Sequence, residues 1–159
     1  MSKILVVYFS YTGNTRKIAN LIKEKLTCDI LELKPVTSYS TDYQTVVDEE
    51  QRLEGANHMP EIQDINIDLE SYDTVVIGTP VWWYREAPVV RTFLNKYDLS
   101  GKNIYLFATN AGWLGKTFIE LQKECKGNII STQNIVFESY SDKLVINDVE
   151  INNWIVGIK

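Results

Sequence analysis

At 159 residues, 45% apolar and 23% charged with a formal net charge of −5, the chain has the balance of a globular protein with one full core. That charge disfavours nucleic acid and anionic membrane as partners, and no apolar run reaches the length of a membrane helix. Cys28 and Cys125 make neither a disulfide framework nor a zinc spacing, so a reduced, cytoplasmic setting is expected.

Lys3–Phe9 is a continuous apolar run of strand length, as in a strand covered on both faces. It begins almost at once, so no secretory signal is expected. Gly13–Leu26 follows as a helix with Ile18, Ala19, Ile22 and Leu26 on one stripe. Asp29–Leu33 is a second short strand. Thr41 and Gln44 are spaced as a capping box for a weakly amphipathic helix carrying Tyr43, Val46, Val47 and Leu53. Gly55 and Pro60 close that segment. Its acids, Asp48, Glu49, Glu50 and Glu54, with Glu61 beyond, are expected on a solvated face.

Thr74–Gly78 is the third strand, and Glu86–Tyr97 a helix with Pro88 in its first turn. Asn103–Thr109 is the fourth strand, followed by a glycine-bearing loop and a short helix through Lys123. Asn134–Glu138 is the fifth. Asn147 caps a last helix that buries Ile151, Trp154, Ile155 and Ile158. Strands alternating with helices predict an α/β, doubly wound, five-stranded parallel sheet in the order 2-1-3-4-5, one domain over residues 1–159. Its ligand crevice lies where the strand order reverses, so the loops after Phe9, Gly78 and Thr109 hold the interest.

Loop one, "SYTGNT", joins a strand to a helix whose mouth presents unpaired N–H groups and a positive dipole end. Gly13 permits close backbone approach, and Ser10, Thr12, Asn14 and Thr15 add neutral donors. The loop suits a phosphate held without charge; the alternative is ordinary capping by Thr12 or Asn14. It is neither an ATP-binding P-loop nor a dinucleotide fingerprint. Ser10 and Arg16 have the spacing of a C-x5-R phosphatase loop, but serine at position 10 offers no thiolate. The acids that a phosphorylated receiver domain needs at its strand ends are missing too.

Loop two, "GTPVWWYREAP", and loop three, "TNAGWLGK", put Trp82, Trp83 and Trp113 at one end of the sheet. Indoles there either cover a ligand or pack on the helices beneath. A phosphate site and an aromatic cleft on one rim describe a flat conjugated ligand with one phosphate, such as flavin mononucleotide (FMN).

"ILVVYFSYTGNTRKIA" resembles the opening strand, phosphate loop and first helix of flavodoxins, and "VVIGTPVWWYREAPVVRTFL" and "GKNIYLFATNAGWLGKTF" resemble their two ring-flanking loops. The middle segment from Glu32 to Ile62 is similar to that of a bacterial flavodoxin-like subgroup. The resemblance implies a flavodoxin-like three-layer sandwich with FMN as cofactor. It implies that Ser10, Thr12, Gly13, Asn14 and Thr15 hold the phosphate, with Tyr11 a further cofactor-binding residue of the same loop. Pro80, Val81, Trp82 and Trp83 would line one side of the ring and Thr109, Asn110, Ala111, Gly112 and Trp113 the other; which indole stacks is left open.

The implied role is electron transfer between redox partners. The alternative is an NAD(P)H-dependent flavin or quinone reductase, with small acceptors in place of protein partners, on a monomer or weak dimer. Pure electron transfer needs no acid–base residue, and His58 is expected on the surface, away from the site. Two positions depart from the pattern. Tyr84 stands where the subgroup often has glycine, which makes a left-handed backbone costlier by roughly 1 kcal/mol and should weaken stabilisation of half-reduced flavin. Arg85 stands where electron carriers commonly show acids.

Overall fold

The computed structural model describes residues 3–54 and 57–159. Gly55, the expected end of the second helix, lies outside the described residues. In chain order the elements are β1 (Ile4–Tyr8), α1 (Asn14–Leu26), β2 (Asp29–Glu32), α2 (Tyr43–Glu54), β3 (Thr74–Trp82), β4 (Arg85–Glu86), α3 (Pro88–Lys96), β5 (Asn103–Asn110), α4 (Thr117–Glu124), β6 (Asn128–Val136) and α5 (Asp148–Val156). The parallel sheet runs β2-β1-β3-β5-β6, with β4 added antiparallel to β3. Apart from that small addition, this is the order expected from the alternating pattern.

The three central strands are apolar on both sides because helices cover both faces. Leu5, Val7, Val75, Ile77 and Leu106 face one way and meet Val89, Val90, Phe93 and Leu94 of α3 and Leu121 of α4. Val6, Tyr8, Val76 and Phe107 face the other and meet Ile18, Ala19 and Ile22 of α1 and Ile151 and Ile155 of α5. Burying each such leucine, isoleucine or phenylalanine contributes about 1.5–3 kcal/mol. Gly78 in β3 is a packing requirement, since a Cβ there would enter the Phe107 ring. Among the described residues, no helix is long and apolar enough to cross a membrane.

Several boundaries differ from expectation for physical reasons. The last strand is Asn128–Val136, not Asn134–Glu138. Among the described residues it is paired only with β5; Asn128, Ile130 and Thr132 face water, and Ser131, Thr132 and Gln133 interrupt the apolar run. The third strand continues past Gly78 to Trp82, because β4 gives its last residues a partner. Glu86 therefore belongs to a strand, and α3 starts at Pro88. The Thr41–Gln44 capping box does not form; Asp42 accepts from the Thr45 N–H at 3.2 Å instead. Glu50, expected in water, is only 6% exposed: it lies on the inner side of α2 with Val46.

Candidate functional site

The C-terminal ends of β1, β3 and β5 and the segment after β6 enclose an open cleft of about 650 Å3. The loop after β1 enters α1 through Gly13, whose φ of 109° is a left-handed conformation that glycine adopts freely. The N-cap residue is Gly13, which has no side chain to offer, so neither Thr12 nor Asn14 performs the ordinary capping role. Asn14 instead donates through Nδ2 to the Ser141 carbonyl at 2.9 Å, fastening the loop to the segment after β6. Ser10 Oγ accepts from the Arg16 N–H at 3.2 Å. The buried Thr15 and Thr109 hydroxyls share a hydrogen bond of 2.7 Å that ties the first loop to the third.

Arg16 is turned to another task. Its guanidinium grips Glu32 with two bonds of 2.9 Å, and the Tyr8 hydroxyl donates to the same carboxylate at 2.7 Å. The Arg16 bond holds the Glu32 carboxyl below the usual carboxylate range. Burial, together with Glu32, pushes Tyr8 up to about 12. The mouth of α1 is thus left with neutral donors.

The second loop is a hairpin. Val81 faces Glu86 and Trp82 faces Arg85 across β3 and β4, leaving Trp83 and Tyr84 as a two-residue turn. Their φ values are 51° and 65°, the pattern of a type I′ turn that normally selects Asn-Gly. Two aromatic residues in left-handed conformations cost about 1–2 kcal/mol each, and the surroundings hold them there. The Tyr84 carbonyl accepts from the Lys116 N–H at 2.6 Å. Trp83 donates through Nε1 to the Val47 carbonyl at 3.3 Å. Gly115 leaves room for the Tyr84 backbone, which a Cβ there would strike.

Beneath the hairpin lies a buried ionic cluster. Glu86 Oε1 accepts from Nε of both Arg85 and Arg91, each at 2.9 Å, while Arg91 also donates to the His58 carbonyl at 2.6 Å. Glu124 Oε1 lies 3.5 Å from Arg85 and 3.7 Å from Arg91. Burial and the neighbouring Glu86 carboxylate raise Glu124 to about 7. Glu86 Oε2 and Glu124 Oε2 are buried without a hydrogen-bond partner. Arg85 is therefore internal wiring rather than surface charge. His58, expected at the surface, is half-buried against this cluster; desolvation and Arg91 lower its pKa.

Of the residues marked in the sequence, Tyr11, Thr12, Asn14, Pro80, Val81, Trp82, Thr109, Asn110, Ala111 and Trp113 line the cleft. Ser10, Gly13, Thr15 and Gly112 shape its loops. Trp82 stands half-buried, edge-on to Phe9, Tyr11 and Tyr39, with ring centres 5.6, 5.8 and 5.0 Å away. Trp113 is 65% exposed on the opposite rim. Asn110 fixes that rim, its Oδ1 accepting from the N–H groups of Gly112 and Trp113 at 2.9 and 3.1 Å. Trp83 turns out of the cleft toward α2 and lines a neighbouring cavity.

The segment Phe137–Asp142 and Tyr43 of α2 also line the cleft and went unmarked. The signal for Glu138–Asp142 was "ESYSD", a second run of hydrogen-bonding residues after a strand; Tyr43 and Phe137 carried none. Among the described residues, no cluster of His, Cys, Asp or Glu could hold a metal ion. Both thiols are raised by burial, and neither cysteine lines the cleft.

A family model described as "Flavodoxin" matches residues 3–154. Flavodoxin 1 of Escherichia coli (strain K12) is 26% identical over 106 residues, covering 64% of this chain and 46% of that protein. The chain thus spans about half the length of the curated relatives it matches. Among solved structures, one from Bacteroides eggerthii superimposes with a TM-score of 0.80 at 25% identity, covering 99% of this chain and 98% of that one. A flavoprotein in complex with FMN from Lactobacillus acidophilus superimposes with a TM-score of 0.75 at 26% identity, covering 97% and 99%.

Proposed function

Because the chain belongs to the flavodoxin family, we propose that it is an FMN-binding flavoprotein that carries electrons between redox partners. One observation carries the reading: the mouth of α1, free of side-chain charge and with one of its N–H groups taken by Ser10, and the indoles Trp82 and Trp113 bound a single cleft. The donor set fits the cofactor. A monophosphate satisfies N–H groups at a helix mouth, and a tricyclic ring needs apolar, aromatic cover.

In this reading the backbone at Thr12–Thr15 holds the phosphate, with Thr12 and Asn14 beside it. Thr15 and Ser10 act indirectly, since their hydroxyls brace the loop. Pro80, Val81 and Trp82 form one wall for the ring, and Asn110, Ala111 and Trp113 the other. FMN, when bound, supplies the one- and two-electron chemistry. The protein orients the ring, excludes water with indole and tyrosine surface, and presents nearby carbonyls through the strained hairpin.

A carrier is favoured over an NAD(P)H-dependent reductase by charge. The cleft is lined by Glu138 and Asp142, with no lysine or arginine among its described walls, so once the α1 mouth is taken by the FMN phosphate no cationic side chain there attracts the phosphates of a dinucleotide. The test mixes FMN-loaded protein anaerobically with NADH or NADPH, and separately reduces it chemically before adding cytochrome c. Slow bleaching by the nucleotides and fast transfer to the haem protein are expected. Rapid turnover with a nucleotide and a quinone would make it an enzyme.

A further inference from the structure

Next to the cleft lies a second cavity of about 270 Å3, roofed by α2. Tyr11, Tyr43, Val81, Trp82 and Trp113 line both spaces, so they share a wall. Val46, Val47, Trp83 and Tyr84 line the second cavity but not the cleft, and its polar wall includes Glu50. Glu50 is more than nine-tenths buried. Its carboxyl makes neither a salt bridge nor a hydrogen bond with any of the described residues, although its neighbours on α2 make both. Unlike Glu86 Oε2 and Glu124 Oε2, the Glu50 oxygens are not sealed away; the residue is buried but lines the cavity, where a ligand of the right chemistry would replace water as its hydrogen-bond partner.

The geometry points to a binding site for a small, flat, uncharged carbonyl compound, its ring between the aromatic walls and its oxygen accepting a hydrogen bond from Glu50. Each part of that description has a cause. Aromatic walls of this kind favour planar rings, packed edge-to-face or offset. The volume falls just below the 300–1,000 Å3 typical of drug-sized ligands, which suits one or two rings. Burial raises the Glu50 pKa and so favours the acid form, which donates an O–H. Arg91, buried behind α2, opposes a cationic occupant, while Asp48, Glu49 and Glu54 on α2 oppose an anionic one. The inference rests on the flavin reading only in that the occupant would then sit across a shared wall from the cofactor.

The test is calorimetric titration of oxidised 2-methyl-1,4-naphthoquinone into the FMN-loaded protein, with no reductant, and then into Glu50→Ala, Glu50→Gln and Val47→Phe. One-to-one binding is expected. Glu50→Ala should weaken it about tenfold. Glu50→Gln, which keeps an N–H donor, should hold within about threefold, and Val47→Phe should abolish binding by filling the space. FMN affinity should change less than twofold in all three.

Three results would overturn the site: full affinity in Glu50→Ala, displacement of the naphthoquinone by FMN, or tighter binding of tetramethylammonium. The first would show that the carboxyl is not used. The second would give the cavity to the flavin ring, and the third would make it a cation cage. Failure of FMN to bind would sink the flavin reading alone, since the same titration on flavin-free protein still reads the cavity.

Discussion

Replacing Glu124 by glutamine should flatten the protein's dependence of stability on pH. The carboxyl sits 13% exposed beside a fully buried Glu86. Burial and that neighbour outweigh the attraction of Arg91 and Arg85, raising it from 4.5 to about 7. Below about pH 4.5 the folded and unfolded chains both hold the proton, and above about pH 7 neither does. Between those limits only the folded protein binds it, so this group's contribution to stability falls as pH rises through the window. At 1.36 kcal/mol per tenfold the full effect is about 3 kcal/mol, and water reaching the cluster reduces it to about 1–3. The assay is urea unfolding of parent and Glu124→Gln at pH 5 and pH 8. The variant should gain on its parent by about 1–3 kcal/mol between those pH values, and titrating groups common to both cancel in the difference. A difference independent of pH would refute the reasoning, and one of opposite sign would mean that the arginines dominate Glu124.

Gly13→Val introduces a β-branched residue at φ 109°; it should cost about 1–2 kcal/mol of stability and weaken FMN binding at least tenfold, read by flavin fluorescence. Tyr84→Gly relieves half of the hairpin strain, so a gain of about 1 kcal/mol in chemical denaturation is expected. If that variant also stabilises half-reduced flavin more than its parent during a dithionite titration, the strain at Tyr84 has a redox consequence; an unchanged yield would deny it one. Gly78→Ala drives a methyl into the Phe107 ring and should cost about 1–3 kcal/mol through overpacking, seen as a lower thermal midpoint.

Much of this fold was legible because its central strands carry their burial in their composition. Leu5–Val7, Val75–Ile77 and Ile104–Ala108 are covered on both faces, and unbroken apolar runs announce such strands. The edge strand β6 carries no comparable run, since its residues alternate between core and water, and its start went unread. The loop residues were legible through chemistry: small donors before α1, indoles after β3 and β5. The hairpin was not. A type I′ turn made of Trp83 and Tyr84 contradicts every local preference and exists only because Lys116, Gly115, Val47 and the Arg85 cluster over-determine it. The same tertiary context buried Glu50 and half-buried His58, whose sequence neighbours are those of a solvated segment.

Flavin selectivity tests the central claim most directly. Flavin-free protein is titrated with FMN and, separately, with riboflavin, following flavin fluorescence. One FMN per chain should bind with quenching and a yellow colour, and riboflavin, lacking the phosphate, should bind at least a hundredfold more weakly. Equal affinity for the two flavins, or no binding of either, would contradict a phosphate held at the mouth of α1.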